Sequence, residues 1–220
     1  MSKSGLFISF EGGDGAGKTT ILEKLQKDLL LHHFEVVRTR EPGGSALGEQ
    51  IRKWVLNHDA SIQIGNQAEL LLFLAGRAQH LEELIKPALQ AGKIVLCDRF
   101  NDSTVAYQGF ARGLGESTVQ QMCDLVCGDV QPSLTIFLDI DPLEGLRRTR
   151  HAFKENADPG QLDRMESEKL DFHQRVRQGL LHLAEKHPER ICKVDASQPI
   201  SKVFADVWKK VLPLLATKKA

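Results

Sequence analysis

The feature that most constrains this chain is a glycine-rich octapeptide near its start. Residues 12–19 read GGDGAGKT and match the pattern G-x-x-x-x-G-K-[ST] at every fixed position. A short apolar run, Leu6–Phe10, precedes the octapeptide with the composition of a buried strand, and apolar residues at helical spacing follow it. The pattern therefore predicts a strand, a glycine-rich turn and a helix in succession. In that context the N–H groups of the turn point inward and the helix dipole adds positive potential, so the turn can hold an anion.

The other residues of the octapeptide indicate which anion it holds. Lys18 would reach the β- and γ-phosphates of a nucleoside triphosphate, and the Thr19 hydroxyl would take a place in the coordination shell of Mg²⁺. An ordinary glycine-rich turn is the alternative, and the flanking strand and helix argue against it. We therefore predict that ATP or a similar triphosphate is bound by Gly12, Gly13, Asp14, Gly15, Ala16, Gly17, Lys18 and Thr19.

Balanced charge and scattered cysteines limit the partners of this chain of 220 residues. Its 29 Lys and Arg residues equal its 29 Asp and Glu residues, and no stretch is strongly basic, so the electrostatic signature of a nucleic-acid binder is missing. The chain passes from Met1 directly into the first strand, and its longest apolar run, Leu70–Gly76, is too short to span a bilayer. We therefore expect a cytoplasmic protein with small-molecule substrates and no nucleic-acid or membrane partner. Four cysteines lack a CxxC pair and are interpreted as reduced, structural thiols: Cys97, Cys123, Cys127 and Cys192.

Segments typical of strands and of helices alternate along the chain. Strands are predicted at Leu6–Phe10, Val36–Thr39, Ile94–Cys97, Leu134–Leu138 and Ile191–Val194. Helices are predicted at Thr19–Leu31, Ala46–Leu56, Ala68–Ala91, Thr118–Cys127, Pro142–Arg150, Glu166–Lys186 and Ile200–Leu215. We therefore predict an α/β fold of the three-layer P-loop NTP-binding type, with a five-stranded parallel sheet and helices on both faces. A single domain would span residues 1–220, with ligands at the carboxyl ends of the strands.

Charged residues follow the third predicted strand, and a shaped turn follows the second. Asp98 at the tip of a buried strand beside a phosphate loop can direct Mg²⁺, so it joins Thr19 as a predicted metal residue. The guanidinium fork of Arg99 suits a second phosphate group at the same edge. A strand-end salt bridge is the alternative, and the nearby phosphate loop argues against it. The turn Arg40–Gly44 contains one Pro and two Gly residues and reaches the same edge of the sheet.

Two further segments carry side chains suited to a nucleoside pocket. Phe73 and Arg77 lie four residues apart on a predicted helix and share a face, so one can stack on a ring while the other bonds its edge. A core Phe beside a solvated Arg is the alternative. The stretch Asp102–Gln108 supplies hydroxyls, an amide and the only tyrosine of the chain.

A polar, turn-rich segment at residues 150–161 separates two predicted helices. It is interpreted either as a surface loop or as a lid over the site, at about residues 150–164. Arg147, Arg148 and Arg150 cluster at its start. Phosphoryl transfer spreads negative charge over the phosphoryl oxygens, so arginines on a segment that can close over them favour the lid. A solvated cationic helix face is the alternative.

Taken in order, these motifs resemble those of the thymidylate kinase family. GGDGAGKTT, TREPGG, FLAGR, DRF, the STxAYQ stretch, FLDIDP and LDRME follow one another between Leu6 and about Pro213. The phosphate loop alone would indicate only an NTPase, whereas TREPGG, DRF and AYQG together are specific to this family. The resemblance implies transfer of the γ-phosphoryl of ATP to dTMP, giving dTDP for dTTP synthesis. It also implies Mg²⁺ as a cofactor and a homodimer.

The resemblance implies a role for each matching residue. Residues 12–19 bind ATP, and Asp14 within them also contacts the 3′-hydroxyl of the acceptor sugar. Arg99 binds the acceptor phosphate, and Tyr107 crowds the 2′ position so that deoxyribose is preferred. The other implied residues of the dTMP site are Phe73 stacking on thymine, Arg77 on its carbonyl edge, Thr104 and Gln108 near the base, and Glu41 and Pro42 in the wall.

The chain is similar to one branch of the family in its phosphate loop and departs from it in the lid. Ala16 stands where another branch carries an arginine, so the chain resembles the bacterial branch whose catalytic arginine comes from the lid. Relatives in that branch have a short, arginine-rich lid, whereas the lid here is longer. Lys154 is the alternative lid cation, although a point charge cannot fork two oxygens as arginine does. The predicted catalytic residues are Lys18, Arg99, Arg148 and Arg150.

Two other classes of protein remain as alternatives. A deoxynucleoside kinase would need a carboxylate base near its acceptor and no guanidinium for an acceptor phosphate, so Arg99 argues against it. A GTP-dependent switch protein would carry [NT]-K-x-D for guanine, and the chain offers only the sequence CKVD at residues 192–195. Nucleotide exchange with GTP against ATP would separate a switch protein from a kinase.

Overall fold

Five parallel strands form one sheet in the computed structural model, which describes residues 5–56, 63–156 and 163–219. They are β1 (Leu6–Glu11), β2 (Val36–Arg40), β3 (Ile94–Asp98), β4 (Leu134–Asp139) and β5 (Ile191–Asp195). Their spatial order is β2-β3-β1-β4-β5, and every pairing is parallel. All five carboxyl ends therefore lie at one edge, and the central strand β1 is where the order changes direction.

Helices connect the strands and cover the sheet. Those described are α1 (Lys18–Leu31), α2 (Ala46–Leu56), α3 (Asn66–His80), α4 (Lys86–Gln90), α5 (Asn101–Thr104), α6 (Glu116–Cys127), α7 (Pro142–Asn156), α8 (Leu170–Lys186) and α9 (Ile200–Lys219). A π-helical segment, Leu81–Ile85, joins α3 to α4, and a second one, Val105–Ala111, continues α5.

The core is split by the sheet because successive strand side chains point to opposite faces. Leu6, Ile8 and Phe10 of β1 pack with the apolar side chains of α1 and α9. Phe7 faces the other way and packs with the helices that follow β2 and β3. Phe137 of β4 joins this second side, against α6 and α8. Both faces of every central strand are therefore buried, which explains the nearly continuous apolar runs in the sequence.

The predicted fold class is confirmed, and the strand predictions were accurate. Each of the five strands begins at the predicted residue and extends one residue farther than predicted. The added residue is charged in all five strands, and in four of them it is an acid: Glu11, Asp98, Asp139 and Asp195. Asp141 caps the start of α7, since its carboxylate accepts the Leu143 N–H at 3.0 Å.

Two helical predictions were wrong at the ends that face the predicted lid, and one helical stretch was not predicted. The helix predicted from Glu166 begins at Leu170, because the Asp163 carboxylate accepts the N–H groups of the next residues and holds a turn there. The helix predicted to end at Arg150 runs on to Asn156, so the first half of the predicted loop is helical. Residues 150–158 contain no Pro or Gly, and Lys and Glu in this stretch are good helix formers. The helical stretch from Asn101 to Ala111 was not predicted as an element.

The cysteines and the helices bear on two expectations about the chain as a whole. All four cysteines are free of disulfides, as predicted, and three of them are buried. Among the described residues, no helix combines the length and the apolar character needed to cross a bilayer.

Candidate active site

The carboxyl ends of β1, β2 and β3 open into a cavity of about 1140 Å³. The loop after β1 lines one end of it, and the turn after β2 lines a side. The opposite wall comes from α3, from α5 and from the π-helical segment after α5. Sites for one small ligand usually measure roughly 300–1,000 Å³. The cavity therefore exceeds the usual size of a site for one small ligand.

Residues 12–19 form the predicted loop between β1 and α1, with Lys18 as the first residue of the helix. The buried Lys18 ammonium donates to the carbonyls of Gly12 and Gly13 at 3.0 Å each, so its charge is held against the loop. Burial first, and then the charge of Arg99, lowers the pKa of Lys18. An ammonium in this position faces the cavity and is available to phosphate oxygens that enter the loop.

The loop also fits closely against the start of α7. Gly15 has a φ of +71°, and a Cβ at that position would lie 2.1 Å from the Gly145 carbonyl oxygen. Only glycine meets both requirements. Gly17, with a φ of +85°, caps the start of α1 and leaves its first N–H groups directed at the cavity. The loop therefore has the shape and polarity of an anion cradle.

Arg99 and Asp14 meet at the same end of the cavity. The Arg99 Nη2 donates to the Asp14 Oδ1 at 2.9 Å, and its Nη1 donates to the Gly12 carbonyl at 3.0 Å. The guanidinium also lies 5.1 Å from the centre of the Tyr107 ring. Arg99 adopts a φ of +68°, and its N–H donates to the Phe10 carbonyl at 2.9 Å. Burial alone would lower the pKa of Arg99, but Tyr107 and then Asp14 outweigh it and raise the pKa.

Asp98 and Thr19, the two predicted metal residues, both line the cavity. The Oδ1 of Asp98 is buried without a hydrogen-bond partner among the described residues. An acceptor-only oxygen in that state fits a cation ligand. The described parts of the chain contain no cluster of three or more His, Cys, Asp or Glu side chains that could hold a metal. Mg²⁺ does not need one, since it keeps waters and phosphate oxygens in its shell, so this donor set fits Mg²⁺.

The far end of the cavity is lined by aromatic and amide side chains. Phe73 and Arg77 both reach it, as their helical spacing predicts. The alternative of a solvated Arg77 is wrong, because its side chain is 1% exposed. Gln108 donates its Nε2 to the buried Glu69 carboxylate at 2.9 Å, which leaves its carbonyl oxygen as the end that can serve a ligand. Tyr107 lines the same wall and packs against the Phe172 ring at 6.0 Å.

Glu41 of the turn after β2 binds the buried Arg77 guanidinium. The Arg77 Nε donates to the Glu41 Oε2 at 2.8 Å, and its Nη2 donates to the Thr104 hydroxyl at 2.8 Å. Burial would raise the pKa of Glu41, but Arg77 and His80 outweigh it and hold the pKa below the usual value. Pro42 follows through a cis peptide bond and also lines the cavity. The structure thus brings the predicted acceptor residues of three elements together.

Glu11, the last residue of β1, is a site residue that sequence reasoning missed. Its Oε1 accepts the Phe100 N–H at 2.8 Å, and its Oε2 accepts the Ser103 hydroxyl. Burial first, and then the nearby Asp102 carboxylate, raises the pKa of Glu11 to about 8. Glu11 therefore holds the segment that carries Arg99. A lone acid directly before the glycine loop, at the end of an apolar strand, was the signal for it.

Other missed residues lie on segments that sequence reasoning had noted without assigning a role. Arg52 of α2 donates to the Pro42 carbonyl at 3.0 Å and lines the cavity. Glu166, in the LDRME motif, also lines it, and burial followed by the charge of Asp163 raises its pKa. The polar residues that line the cavity and had no predicted role are Thr20, Arg38, Thr39, Arg40, Glu49, Arg52, Ser103, Thr149, Asp163 and Glu166.

The arginines before the predicted lid are separated by the helix that carries them. Arg148 lines the cavity, and it donates to the Ala196 carbonyl at 3.0 Å and to Glu144 at 3.1 Å. Arg147 is 68% exposed and pairs with Glu144, so it is solvated. The side chains of Arg150 and Lys154 lie outside the described residues, as does segment 157–162 of the lid.

Fold and site together define a nucleotide kinase of the P-loop class. The defining features are the parallel sheet with its phosphate loop after the central strand, and a cationic cleft that leads from that loop to an aromatic pocket. The family model for thymidylate kinase matches residues 10–207. The chain belongs to the thymidylate kinase family.

The similarity to known thymidylate kinases extends over nearly the whole chain. The thymidylate kinase of Protochlamydia amoebophila is 59% identical over 200 residues, which is 91% of this chain and 89% of that protein. The thymidylate kinase of Anoxybacillus flavithermus is 49% identical and covers 96% of this chain and 98% of its own length. A crystal structure of thymidylate kinase from Ehrlichia chaffeensis is 35% identical, with a TM-score of 0.74, and covers 95% and 99% of the two chains. The likeness therefore holds in sequence and in fold.

Proposed function

We propose that this chain transfers the γ-phosphoryl of ATP to dTMP, giving ADP and dTDP for the synthesis of dTTP. One observation carries the proposal: the contact between Arg99 and Asp14, at 2.9 Å. A guanidinium suited to an acceptor phosphate thereby lies on the loop suited to a donor triphosphate. Membership of the thymidylate kinase family supports dTMP as the acceptor.

On the donor side, residues 12–19 hold the ATP phosphates through backbone N–H groups, and Lys18 balances charge on the phosphoryl that moves. Arg148 reaches the cavity from α7 and stabilises charge on the equatorial oxygens in the transition state. Arg150 is assigned the same task by resemblance. Holding both nucleotides in one cleft also aligns donor and acceptor oxygens, which lowers the entropic part of the barrier.

On the acceptor side, Arg99 binds the dTMP phosphate and Asp14 the 3′-hydroxyl. Phe73 stacks on the thymine ring, and Tyr107 lies where a 2′-hydroxyl would need room. The Arg77 guanidinium, the Thr104 hydroxyl and the Gln108 amide contact the edge of the base. Glu41 and Pro42 form the wall behind them.

Asp98 and Thr19 would hold Mg²⁺ at the donor end of the cleft. When bound, Mg²⁺ neutralises charge on the β- and γ-phosphates and orients them. The buried, unpartnered Oδ1 of Asp98 supports this assignment.

We also propose that the chain forms a homodimer through the surface made by α2, α3 and α6. Helix α3 packs against both other helices. Large apolar side chains on the three helices are exposed to solvent, and contact with a second copy of the chain would bury them. They are Leu47 and Trp54 on α2, Leu71 on α3 and Leu125 on α6.

Residues 1–220 are proposed to act as one domain in the cytoplasm. One sheet contains both the first strand and the last strand of the described chain, which supports one domain. Four free thiols support a reducing compartment.

A coupled assay of ADP release across all common nucleoside and deoxynucleoside monophosphates tests the proposed reaction. We expect kcat/KM for dTMP to exceed that for dCMP, dAMP and dGMP by roughly a hundredfold or more, because a site that hydrogen-bonds one base leaves polar groups unpaired with another. Equal turnover of thymidine and dTMP would instead indicate a deoxynucleoside kinase. Nucleotide exchange with GTP preferred to ATP, and no acceptor used, would indicate a switch protein.

A further inference from the structure

A continuous chain of hydrogen bonds runs through five buried side chains on three elements: Thr39, His80, Glu41, Arg77 and Thr104. We propose that His80 is a positioning residue for the acceptor base, which holds Glu41 and through it the Arg77 guanidinium. This inference rests on the proposed function, in which Arg77 bonds the edge of the base.

Both nitrogens of the His80 ring are engaged. The ring is fully buried at the end of α3. Its Nδ1 lies 2.9 Å from the Glu41 Oε1, and its Nε2 lies 2.7 Å from the Thr39 hydroxyl. Glu41 is held ionised by Arg77 and His80, so it can only accept, and the Nδ1 must donate. With a neutral ring, the Nε2 then accepts the Thr39 hydroxyl, and this assignment leaves every partner satisfied.

His80 and Arg77 hold opposite oxygens of the same carboxylate. The Glu41 Oε2 takes both the Nε of Arg77, at 2.8 Å, and its Nη2, at 2.7 Å. The Oε1 takes the imidazole. Because both oxygens are engaged, the carboxylate plane cannot turn, and the planar guanidinium bonded to it is fixed in direction. Without the imidazole, one oxygen of a buried carboxylate would lose its donor and Glu41 could rotate.

The turn after β2 is shaped around the same ring. Gly44 has a φ of +74°, and a Cβ at that position would lie 2.2 Å from the His80 Nε2. The second glycine of the TREPGG motif is therefore required by His80 as well as by the backbone. The contact between Gly44 and the His80 ring fixes the position of the turn, and with it the position of Glu41 three residues earlier in the cavity wall. It also means that a substitution of His80 can act by packing alone, so the test must separate packing from hydrogen bonding.

Two substitutions of His80 separate the effect of packing from the effect of hydrogen bonding. In His80→Asn the amide N–H stands near the position of Nδ1 and can still donate to Glu41, whereas His80→Leu keeps a similar volume without a donor. We expect His80→Leu to raise KM for dTMP about tenfold, the usual effect of losing a hydrogen bond to a charged group. KM for ATP should stay within about twofold, since the described hydrogen bonds of His80 go to Thr39 and Glu41 and not to the phosphate loop. His80→Asn should keep KM for dTMP within about threefold of wild type.

Base discrimination gives a second readout that a packing role would not move. Thymine presents a carbonyl where cytosine presents an amino group, so an N–H donor from Arg77 favours dTMP over dCMP. We expect the dTMP to dCMP ratio of kcat/KM to fall about tenfold in His80→Leu and to be largely restored in His80→Asn. Thr39→Val, which removes the hydroxyl at the Nε2, should raise KM for dTMP in the same direction by a smaller factor.

Arg77→Lys serves as the reference variant. If Arg77→Lys leaves both the KM for dTMP and the dTMP to dCMP ratio of kcat/KM unchanged, Arg77 does not bind the base. The proposed role of His80 is then wrong as well, because it acts through Arg77. If Arg77→Lys is impaired while His80→Leu behaves as wild type, the role of His80 alone is wrong. Equal loss in His80→Asn and His80→Leu would also refute it, since size rather than the N–H would then matter. If His80→Leu does not fold, the other two variants decide. An unchanged KM for dTMP in Thr39→Val, together with a strongly raised KM for dTMP in His80→Asn, would refute the proposal.

Discussion

The Arg99 guanidinium lies 2.9 Å from the Asp14 carboxylate and joins the residue after β3 to the phosphate loop after β1. Burial would raise the pKa of Asp14, but Arg99 and then Lys18 outweigh it and hold the pKa below the usual value. The ionised Asp14 therefore keeps two cations together at the point where donor and acceptor phosphates would meet. An acceptor phosphate that binds Arg99 does so next to the loop that holds the phosphoryl to be transferred.

Lys18→Ala is expected to abolish turnover and leave the fold intact. Removing a preorganised donor of this kind typically lowers kcat by about 10²–10³. Among the described residues, the Lys18 ammonium bonds the loop carbonyls of Gly12 and Gly13, so we expect its loss to leave the core packing intact. The coupled ADP assay and a thermal unfolding curve check both parts. A variant that retains more than half of wild-type turnover would exclude this role.

Glu11→Gln is expected to remove a pH dependence of stability. The pKa of Glu11 is about 8 in the folded protein and 4.5 ordinarily, so the folded state binds the extra proton between these values. Its contribution to stability is complete below about pH 4.5 and is lost as the pH rises through about 8. A neutral amide can accept from Phe100 and donate to Ser103 at every pH.

Urea unfolding at about pH 5.5 and about pH 8.5 measures this effect. The free energy of unfolding of wild type should fall relative to that of Glu11→Gln at the higher pH. The substitution Asp195→Asn, at an exposed acid with a lowered pKa, is the control: it keeps Glu11, so its free energy of unfolding should fall at the higher pH as that of wild type does. Parallel profiles of wild type and Glu11→Gln would contradict the raised pKa.

Tyr107→Ala is expected to narrow the preference for deoxyribose over ribose. The Tyr107 ring lines the cavity and contacts the Arg99 guanidinium and the Phe172 ring. In the proposed site it fills the space that a 2′-hydroxyl would need. The ratio of kcat/KM for dTMP to that for its ribose analogue is the measurement. Tyr107→Phe keeps the ring and should keep the ratio. An unchanged ratio in Tyr107→Ala would show that another residue discriminates.

Arg148→Ala is expected to lower kcat at least about a hundredfold, with little change in dTMP affinity, because the contact matters most in the transition state. Arg147→Ala is the matched control on the same helix turn, since its side chain is 68% exposed, and it should stay within about twofold. Arg150→Ala should resemble Arg148→Ala, and Lys154→Ala should cost less. If Lys154→Ala proves the most damaging of the four, the longer lid has moved the catalytic cation.

Trp54→Lys combined with Leu71→Lys is expected to shift the protein from dimer to monomer. Both side chains are about half exposed on α2 and α3, and a charge there would be buried without a partner in an interface. Light scattering coupled to size exclusion gives the mass. Leu31→Lys, at an exposed leucine of α1 beyond the other face of the sheet, is the control. A wild-type mass of one chain would disprove the dimer.

The strands and the phosphate loop were predictable because their signals are local. An apolar run buried on both faces, such as Ile94–Cys97, can be recognised from composition alone. The loop motif carries its own conformational requirement in its glycines, as the φ of Gly15 shows. The helix from Asn101 to Ala111 was missed, because its polar start is buried by ion pairs rather than by apolar spacing. Asp102, for example, binds Arg190 through both oxygens, and these residues are distant in sequence.

The sequence by itself determined the fold class, the position of the phosphate loop and the family to which the chain belongs, since each depends on residues close together along the chain. Only the tertiary structure decided how charges are paired. Glu11 with the Arg99 segment, and His80 with Glu41 and Arg77, join residues from separate elements. A buried carboxylate takes its state from every donor that surrounds it, and which donors surround it depends on how the helices pack on the sheet.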